Sequence, residues 1–386
     1  MDIKNRIDAQ KIVKWRRHFH MYPELSFKEF ETAKYIVAEL SKYPEIEILR
    51  PAKNSVVAVL KGKKPGKTIG LRADIDALPI TEEADVEFKS KNPGVMHACG
   101  HDFHAAMLLG AVDVLYQLKD EISGCVKFIF QHAEELVPGG AVDIVASGVL
   151  DDVEMFYGSH VFPSAPVGMV RAAIGPIYAN ADTFYITIKG KGAHGARPEA
   201  SVDSLLVGLE VAQSLNYIVS RNVAAKERAV VTVGAFNAGS APNIIPDSAQ
   251  IMGTTRSYSQ QTRDLLEERV KALTKNICAA YGAECIIDFK RGYSAVVNDE
   301  KCYFLFKDVL AQTLPEVSFE EMVPIMGGED FSAYGAIAPS IFVSVGAGPK
   351  TGAYYENHNP RLVLDEDALF IGTALYAAFA VKAALL

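Results

Sequence analysis

Nine residues, Met96-His97-Ala98-Cys99-Gly100-His101-Asp102-Phe103-His104, carry one thiol, three imidazoles and a carboxylate. Only Gly100 separates Cys99 from His101, and an i, i+2 pair in an extended loop can turn two side chains toward one point. Thiolate and imidazole both suit a borderline-soft divalent ion. Taken alone, a Cys-x-His pair more often marks a loop with a buried thiol and surface histidines, because so short a motif recurs by chance. Three further groups decide between these: Glu134-Glu135, His160 and His358. Two adjacent carboxylates repel unless one binds a cation. One can then anchor an ion while the other exchanges a proton with water. A solvated acidic turn is the alternative. Cys99, His101, Glu135, His160 and His358 exceed what one closed tetrahedral site needs, and only one is a cysteine. Two ions bridged by a shared ligand and a water would use them better, and such a pair can hold a nucleophilic water and polarise a carbonyl.

The elements that must place these groups read as α/β. A helix spans 5–42, interrupted at Tyr22-Pro23-Glu24 and resuming through Phe27–Leu40. Strands at Ser55–Leu60 and Thr68–Leu71 follow, the second running into Arg72-Ala73-Asp74-Ile75-Asp76-Ala77-Leu78-Pro79. Two aspartates at i, i+2 on a strand share a face and need a cation or donors opposite them. Asp74 and Asp76 are expected to orient the ligand histidines. From His104 the pattern is helical through Leu118. Next come a strand at Cys125–Phe130, a helix near Gly140–Ser147 and a strand at Val153–Tyr157. Glu134, Glu135 and His160 each fall just past the carboxyl end of a predicted strand, where open α/β sheets bind ligands.

Near residue 180 the rhythm changes. Strands are expected at Ala181–Gly190, Ala229–Phe236, Ala249–Arg256 and Glu284–Lys290, with long helices at Ser201–Arg221 and Asp264–Tyr281. This predicts an inserted α+β domain at 180–297 within a discontinuous catalytic domain of 1–179 and 298–386. The α/β pattern then returns. It has a helix at Glu300–Gln312, the start of another at Gly327–Phe331, and a buried strand at Ile341–Val345. Asp365 is placed to cap a last helix ending near residue 384. His194 lies in Gly192-Ala193-His194-Gly195, where glycines allow close approach; an exposed hairpin turn is the alternative.

Composition narrows the class. The chain has 386 residues, enough for two domains, with 49% hydrophobic and 22% charged residues. A net charge of −8 and no basic stripe argue against nucleic acid or an anionic membrane as partner. The charged N-terminus lacks the apolar core of a signal peptide, and the apolar stretch Ala368–Val381 reads as a buried terminal helix. Five scattered cysteines suggest no disulfide framework and predict a cytoplasmic protein.

Seven motifs stand in order: Arg72–Pro79, Met96–His104, Ala133-Glu134-Glu135, Gly192–Pro198, Asn243-Ile244-Ile245-Pro246-Asp247, Gly327–Phe331 and His358-Asn359-Pro360. Together they resemble the metal-dependent amidohydrolases that include hippurate hydrolases, indole-acetyl-amino-acid hydrolases and N-acyl-L-amino-acid amidohydrolases. The resemblance runs from about Trp15 to Ala380. It implies a zinc-peptidase-like catalytic domain with a mainly parallel central sheet, an inserted lid or dimerisation domain, and two divalent ions, zinc or manganese first, cobalt or nickel next. It implies Cys99, His101, Glu135, His160 and His358 as ligands, Glu134 as general base and His194 as oxyanion donor. In related dimeric metallopeptidases such a His comes from the partner's lid. Asn243 and Arg256 match positions that hold the substrate carboxylate. The family often has Pro where His132 stands and His where Glu199 stands. The expected reaction is hydrolysis of an N-acyl amino acid by a homodimer joined through the lid. A metallo-dipeptidase or carboxypeptidase, or an inactive metal-binding protein, would use the same residues.

Overall fold

The structure is a computed structural model and describes residues 2–350 and 354–386. In chain order the first elements are α1 (Ala9–Met21), α2 (Phe30–Leu40), β1 (Glu47–Leu49), β2 (Val56–Lys61), β3 (Lys64–Asp74), α3 (His101–Gln117), β4 (Ser123–Gln131), α4 (Ala141–Ala146), β5 (Met155–Pro166) and β6 (Met169–Ala172). After β7 (Gly175–Tyr178) come β8 (Asn180–Lys189), β9 (Ala193–His194), α5 (Ser204–Leu215), α6 (Tyr217–Asn222), β10 (Ala229–Ala238), β11 (Ile244–Ile245), β12 (Ser248–Ser257), α7 (Gln260–Ala280) and β13 (Glu284–Arg291). The chain closes with β14 (Val296–Asn298), α8 (Glu300–Thr313), β15 (Ser318–Glu321), α9 (Ser332–Gly335), β16 (Ser340–Gly348) and α10 (Ala368–Ala383).

Two compact units result. One is Met1–Ile177, Val296–Pro324 and Asp330–Leu386; the other is Tyr178–Ala295 with Ile325–Glu329. The first holds an eight-stranded sheet in the order β1-β2-β4-β3-β5-β16-β6-β15. Its middle is parallel: β3 pairs with β4 and β5, and β5 with β16. Strand alternation sends neighbouring side chains to opposite faces. Tyr157 packs against Tyr376, Phe379 and Phe306, while Phe156 meets Tyr334. Helices therefore cover both faces, as a parallel sheet requires. The second unit is a four-stranded antiparallel sheet, β10-β12-β8-β13, whose core includes Phe184, Ile186, Ile188, Val211, Ile251 and Leu266. Its α7 is tied to β8 by Arg263, whose guanidinium binds Asp182. No helix among the described residues is long and apolar enough to cross a membrane.

Several boundaries differ from expectation for local reasons. The first helical segment is two helices separated by residues 22–29. The helix at α3 begins at His101, three residues before His104, because Gly100 takes a left-handed φ of 91° as its N-cap. A Cβ at Gly100 would also overlap Val161. Asp76 lies beyond the end of β3 and does not share a strand face with Asp74. The strand at β5 runs on to Pro166, so His160 is inside it; pairing with β3 stops at Gly158 while β16 continues beside His160. The long helix after Ser201 is two, α5 starting from an Asp203 cap and α6 from Asn216. Gly327–Phe331 precedes the short α9 and is not helical itself. Asp365 accepts from Asp367 N–H, one turn ahead of α10, and Asp367 at the N-cap makes no side-chain cap bond.

The terminal helix α10 is buried almost all round and rests on α3 at Gly372, where a methyl group would overlap Met107 Sδ. Gly372→Ala should therefore lower stability by about 1–3 kcal/mol despite the better helix propensity of alanine. Denaturant titration would show it, and in a double-mutant cycle with Met107→Ala the double variant should lose less than the sum of the two single losses, because the smaller side chain makes room for the new methyl group.

Candidate metal centre

Four segments of the first unit converge. Cys99 sits in the turn before α3 and His101 is the first residue of α3. Glu134 and Glu135 follow β4, His160 lies on β5, and His358 comes from the loop before α10. Cys99 Sγ is 3.3 Å from His160 Nε2. His101 Nε2 is 4.0 Å from both Glu134 Oε2 and Glu135 Oε1. Glu135 Oε1 is 3.1 Å from His358 Nε2. Three overlapping triads, Cys99/His101/His160, His101/Glu134/Glu135 and Cys99/Glu135/His358, each keep their donor atoms within 4.8 Å. All five expected ligands and Glu134 thus belong to one connected cluster.

The atoms facing into this cluster fit a cation. His101 Nε2 and Glu135 Oε1 are buried and make no hydrogen bond, so the His358 approach is a bare nitrogen–oxygen contact. Buried polar atoms are nearly always paired, and a divalent ion satisfies such donors without hydrogen. Charge points the same way. Burial alone would lower His101, but Asp74, Asp76 and Glu135 outweigh it and raise the group to about 10. Burial raises the Cys99 thiol, and Glu135 and Glu134 add to the shift. Burial, with His104 and His101 alongside, holds His160 low, as the neutral imidazole a metal requires. A dication compensates the same excess of negative charge that keeps protons on His101 and Cys99.

The surrounding shell is rigid. Asp76 accepts His101 Nδ1 at 3.1 Å, the backbone N–H of Glu135 at 3.0 Å and Ser26 Oγ at 2.7 Å. Asp74 takes Arg72 at 2.6 Å and His104 Nδ1 at 2.5 Å, so its oxygens are occupied although it also lies near His101. His104 Nε2 accepts Val161 N–H at 3.0 Å, while His160 Nδ1 donates to Val161 O at 2.7 Å. The Val161 carbonyl thereby sets the ring of His160, and His104 steadies Val161 through its N–H. Backbone strain concentrates here too: Ala133 (φ 51°) and His358 (φ 69°) are left-handed without being glycine. His358 N–H is anchored to Ala98 O at 2.6 Å.

The remaining candidates lie in the second unit. His194 on β9 pairs with Ile244 of β11, and Gly195 N–H donates to Asn243 O at 2.8 Å, so His194 and Asn243 are neighbours. Arg256 is near the far end of β12, registered with Ala181, and donates to Thr255 O at 3.0 Å. Sequence reading missed Arg72, Gln131 and Asp330, which form a buried network in the first unit. A full charge inside a strand was the available signal. His132 is buried near Asp143, 3.5 Å away, and edge-on to Phe27. Glu199 is exposed beside Arg197.

Asp76→Ala should lower divalent-metal affinity about 10- to 100-fold, since it frees both His101 and the Glu135 backbone. Zinc titration against a chromophoric chelator measures this; unchanged affinity would remove Asp76 from the site.

Comparison with known proteins shows the family. The sequence pattern of peptidase family M20/M25/M40 matches residues 70–382. An N-acyl-L-amino acid amidohydrolase of Geobacillus stearothermophilus is 44% identical over 299 residues, 77% of this chain and 81% of that one. Thermostable carboxypeptidase 1 of Saccharolobus solfataricus is 38% identical over 99% of both chains. The crystal structure of Bacillus subtilis YXEP, a dinuclear metal binding peptidase of the M20 family, superposes with a TM-score of 0.86 at 35% identity, covering 97% of this chain and 98% of that one. Family match, full-length relatives and fold coincide on the segment that carries the donor cluster, and the chain belongs to peptidase family M20/M25/M40.

Proposed function

We propose that this chain hydrolyses the amide bond of N-acyl amino acids, using two divalent ions held by Cys99, His101, Glu135, His160 and His358. When bound, such ions polarise an amide carbonyl and acidify water. The observation that carries the reading is the place of Glu134, a buried carboxylate next to Glu135 and 4.0 Å from His101 Nε2. A binding module has no need of a second carboxylate there. As general base, Glu134 takes the proton of the attacking water and passes it to the leaving α-nitrogen, so acid and amino acid depart with the proton balance closed. The relative named N-acyl-L-amino acid amidohydrolase supports this substrate class. The thiolate favours zinc, and the imidazoles and carboxylate also accept manganese, cobalt or nickel.

His194 is read as the oxyanion donor. Its Nδ1 accepts Ala196 N–H at 3.1 Å, which places the ring proton on Nε2 and leaves it free to donate. Asn243 and Arg256 are read as carboxylate holders. Within one second unit they cannot meet the same small molecule. Arg256 registers with Ala181, and His194 and Asn243 lie beyond the Lys189/Ser248 end of the same sheet. That separation is about 25 Å along the strands, by strand rise alone. Two copies remove the conflict, one giving His194 and Asn243 and the other Arg256, and this supports a homodimer through the inserted lid. Five free cysteines accord with a reducing, cytoplasmic setting.

The full-length carboxypeptidase relative favours one second reading, the same centre acting on a free peptide. Amino-acid release from N-acetyl, N-benzoyl and indole-acetyl amino acids and from dipeptides, after chelation and readdition of zinc, manganese, cobalt or nickel, separates the two. Release from an N-acyl substrate restored by one metal is expected. Glu134→Gln should lose that turnover while still binding metal, and near-normal activity would remove its role as base. Mixing inactive Glu134→Gln and His194→Ala chains should restore about a quarter of wild-type activity, since half the random dimers are mixed and each carries one complete site. No recovery would refute the exchange of His194 between copies.

A further inference from the structure

Glu29 is buried completely and stands at the N-cap of α2, yet its side chain caps nothing in that helix. Instead Oε1 accepts Ala133 N–H at 2.7 Å and Phe27 N–H at 3.1 Å, and Oε2 accepts Asn54 Nδ2 at 2.6 Å. Ala133 is the left-handed residue, φ 51°, at which the chain leaves β4 and turns to present Glu134. A β-carbon disfavours that conformation, so something outside the turn must hold it. The turn is gripped twice from the segment between α1 and α2. Glu29 holds its start through Ala133 N–H. Ser26 Oγ donates to Asp76, whose Oδ2 also takes Glu135 N–H at 3.0 Å. On its far side the Ala133 carbonyl accepts Gly140 N–H at 3.1 Å.

Burying a carboxylate is costly unless its oxygens are well paired, and here the pairs run to three backbone or side-chain donors from three separate segments. Removing the acceptor would leave a buried amide unpaired at a strained residue, and the turn would relax toward an ordinary φ. We infer that Glu29 is a positioning residue for Glu134: its carboxylate fixes the left-handed turn at Ala133 and so the point from which Glu134 exchanges its proton. This rests on Glu134 being the base in the reaction proposed above.

The test uses the full chain with Glu29→Ala, Glu29→Gln and, as a stability control, Ile36→Ala in the buried face of α2. Three quantities are read: kcat and KM on the best N-acyl amino acid, melting temperature, and hydrogen exchange of the peptide spanning Ala133 in metal-free and metal-loaded protein. Glu29→Ala should lower kcat about 10- to 100-fold with KM little changed, and should speed exchange at Ala133. Glu29→Gln keeps an acceptor oxygen and should restore both. Ile36→Ala should lower the melting temperature and leave kcat intact. Normal kcat in Glu29→Ala, or an equal loss in Ile36→Ala, would overturn the inference. If the wild type cleaves no N-acyl amino acid with any metal, the proposed reaction falls. The exchange measurement then still decides the claim, because unchanged protection in Glu29→Ala shows that Glu29 does not hold the turn.

Discussion

The guanidinium of Arg72 is fully buried in the first unit, and a buried cation must be surrounded by compensating groups or the fold cannot form around it. Its donors reach Gln131 Oε1 at 2.8 Å, Asp74 Oδ2 at 2.6 Å and Asp330 Oδ1 at 2.8 Å. Asp74, fixed by this charge, turns its other oxygen to His104, and His104 holds the peptide beside His160. Gln131 ends β4, so the same cation sets where the chain departs toward Glu134 and Glu135. Asp330 accepts Ala141 N–H at 3.1 Å and locates the start of α4. One charge on β3 thus fixes the end of β4, the start of α4 and, through Asp74 and His104, the peptide beside His160 within β5. The carboxylates that balance it also make the neighbourhood negative enough to attract a dication.

Rigid placement of this kind explains why the strained residues are tolerated. Ala133 and His358 each adopt a backbone conformation unfavourable to a side chain, and each is pinned by a short hydrogen bond, to Glu29 and Ala98 respectively. Gly100 answers the same demand differently, with a residue that has no β-carbon to strain and none to collide with Val161. Strain held by the surroundings is a means of aiming side chains at one point without relying on flexible rotamers.

Much of the fold was legible because its signals are local. Apolar runs located β4 and β16, and turn residues and alternation located β8 and β12. The donor residues were legible as chemical types: thiol, imidazoles and paired carboxylates are conspicuous among apolar segments. What failed to show was the long-range pairing. Nothing near Glu29 announces that it will reach Ala133, 104 residues away, and a Glu at a helix start reads as solvent-facing. Asp330 carried a motif but no partner until Arg72 was brought to it across 258 residues. The strand at β5 was expected to stop at Tyr157. It continues because β16 supplies hydrogen bonds past His160, which depends on a strand nearly two hundred residues later.

The terminal helix adds a temporal dimension. Tyr376 of α10 donates to Arg72 O at 2.6 Å, and Lys67 N–H donates to Ala384 O at 3.1 Å. The first unit is therefore closed by a segment synthesised after the whole of the second, whereas most of the second unit is one continuous segment that can fold as it emerges. During synthesis α3, with 14 of its 17 residues buried in the finished protein, waits without the helix that covers it. A nascent chain paused in the inserted segment presents that apolar surface to its surroundings. The demand for chaperone protection is thereby concentrated in the interval before α10 is made.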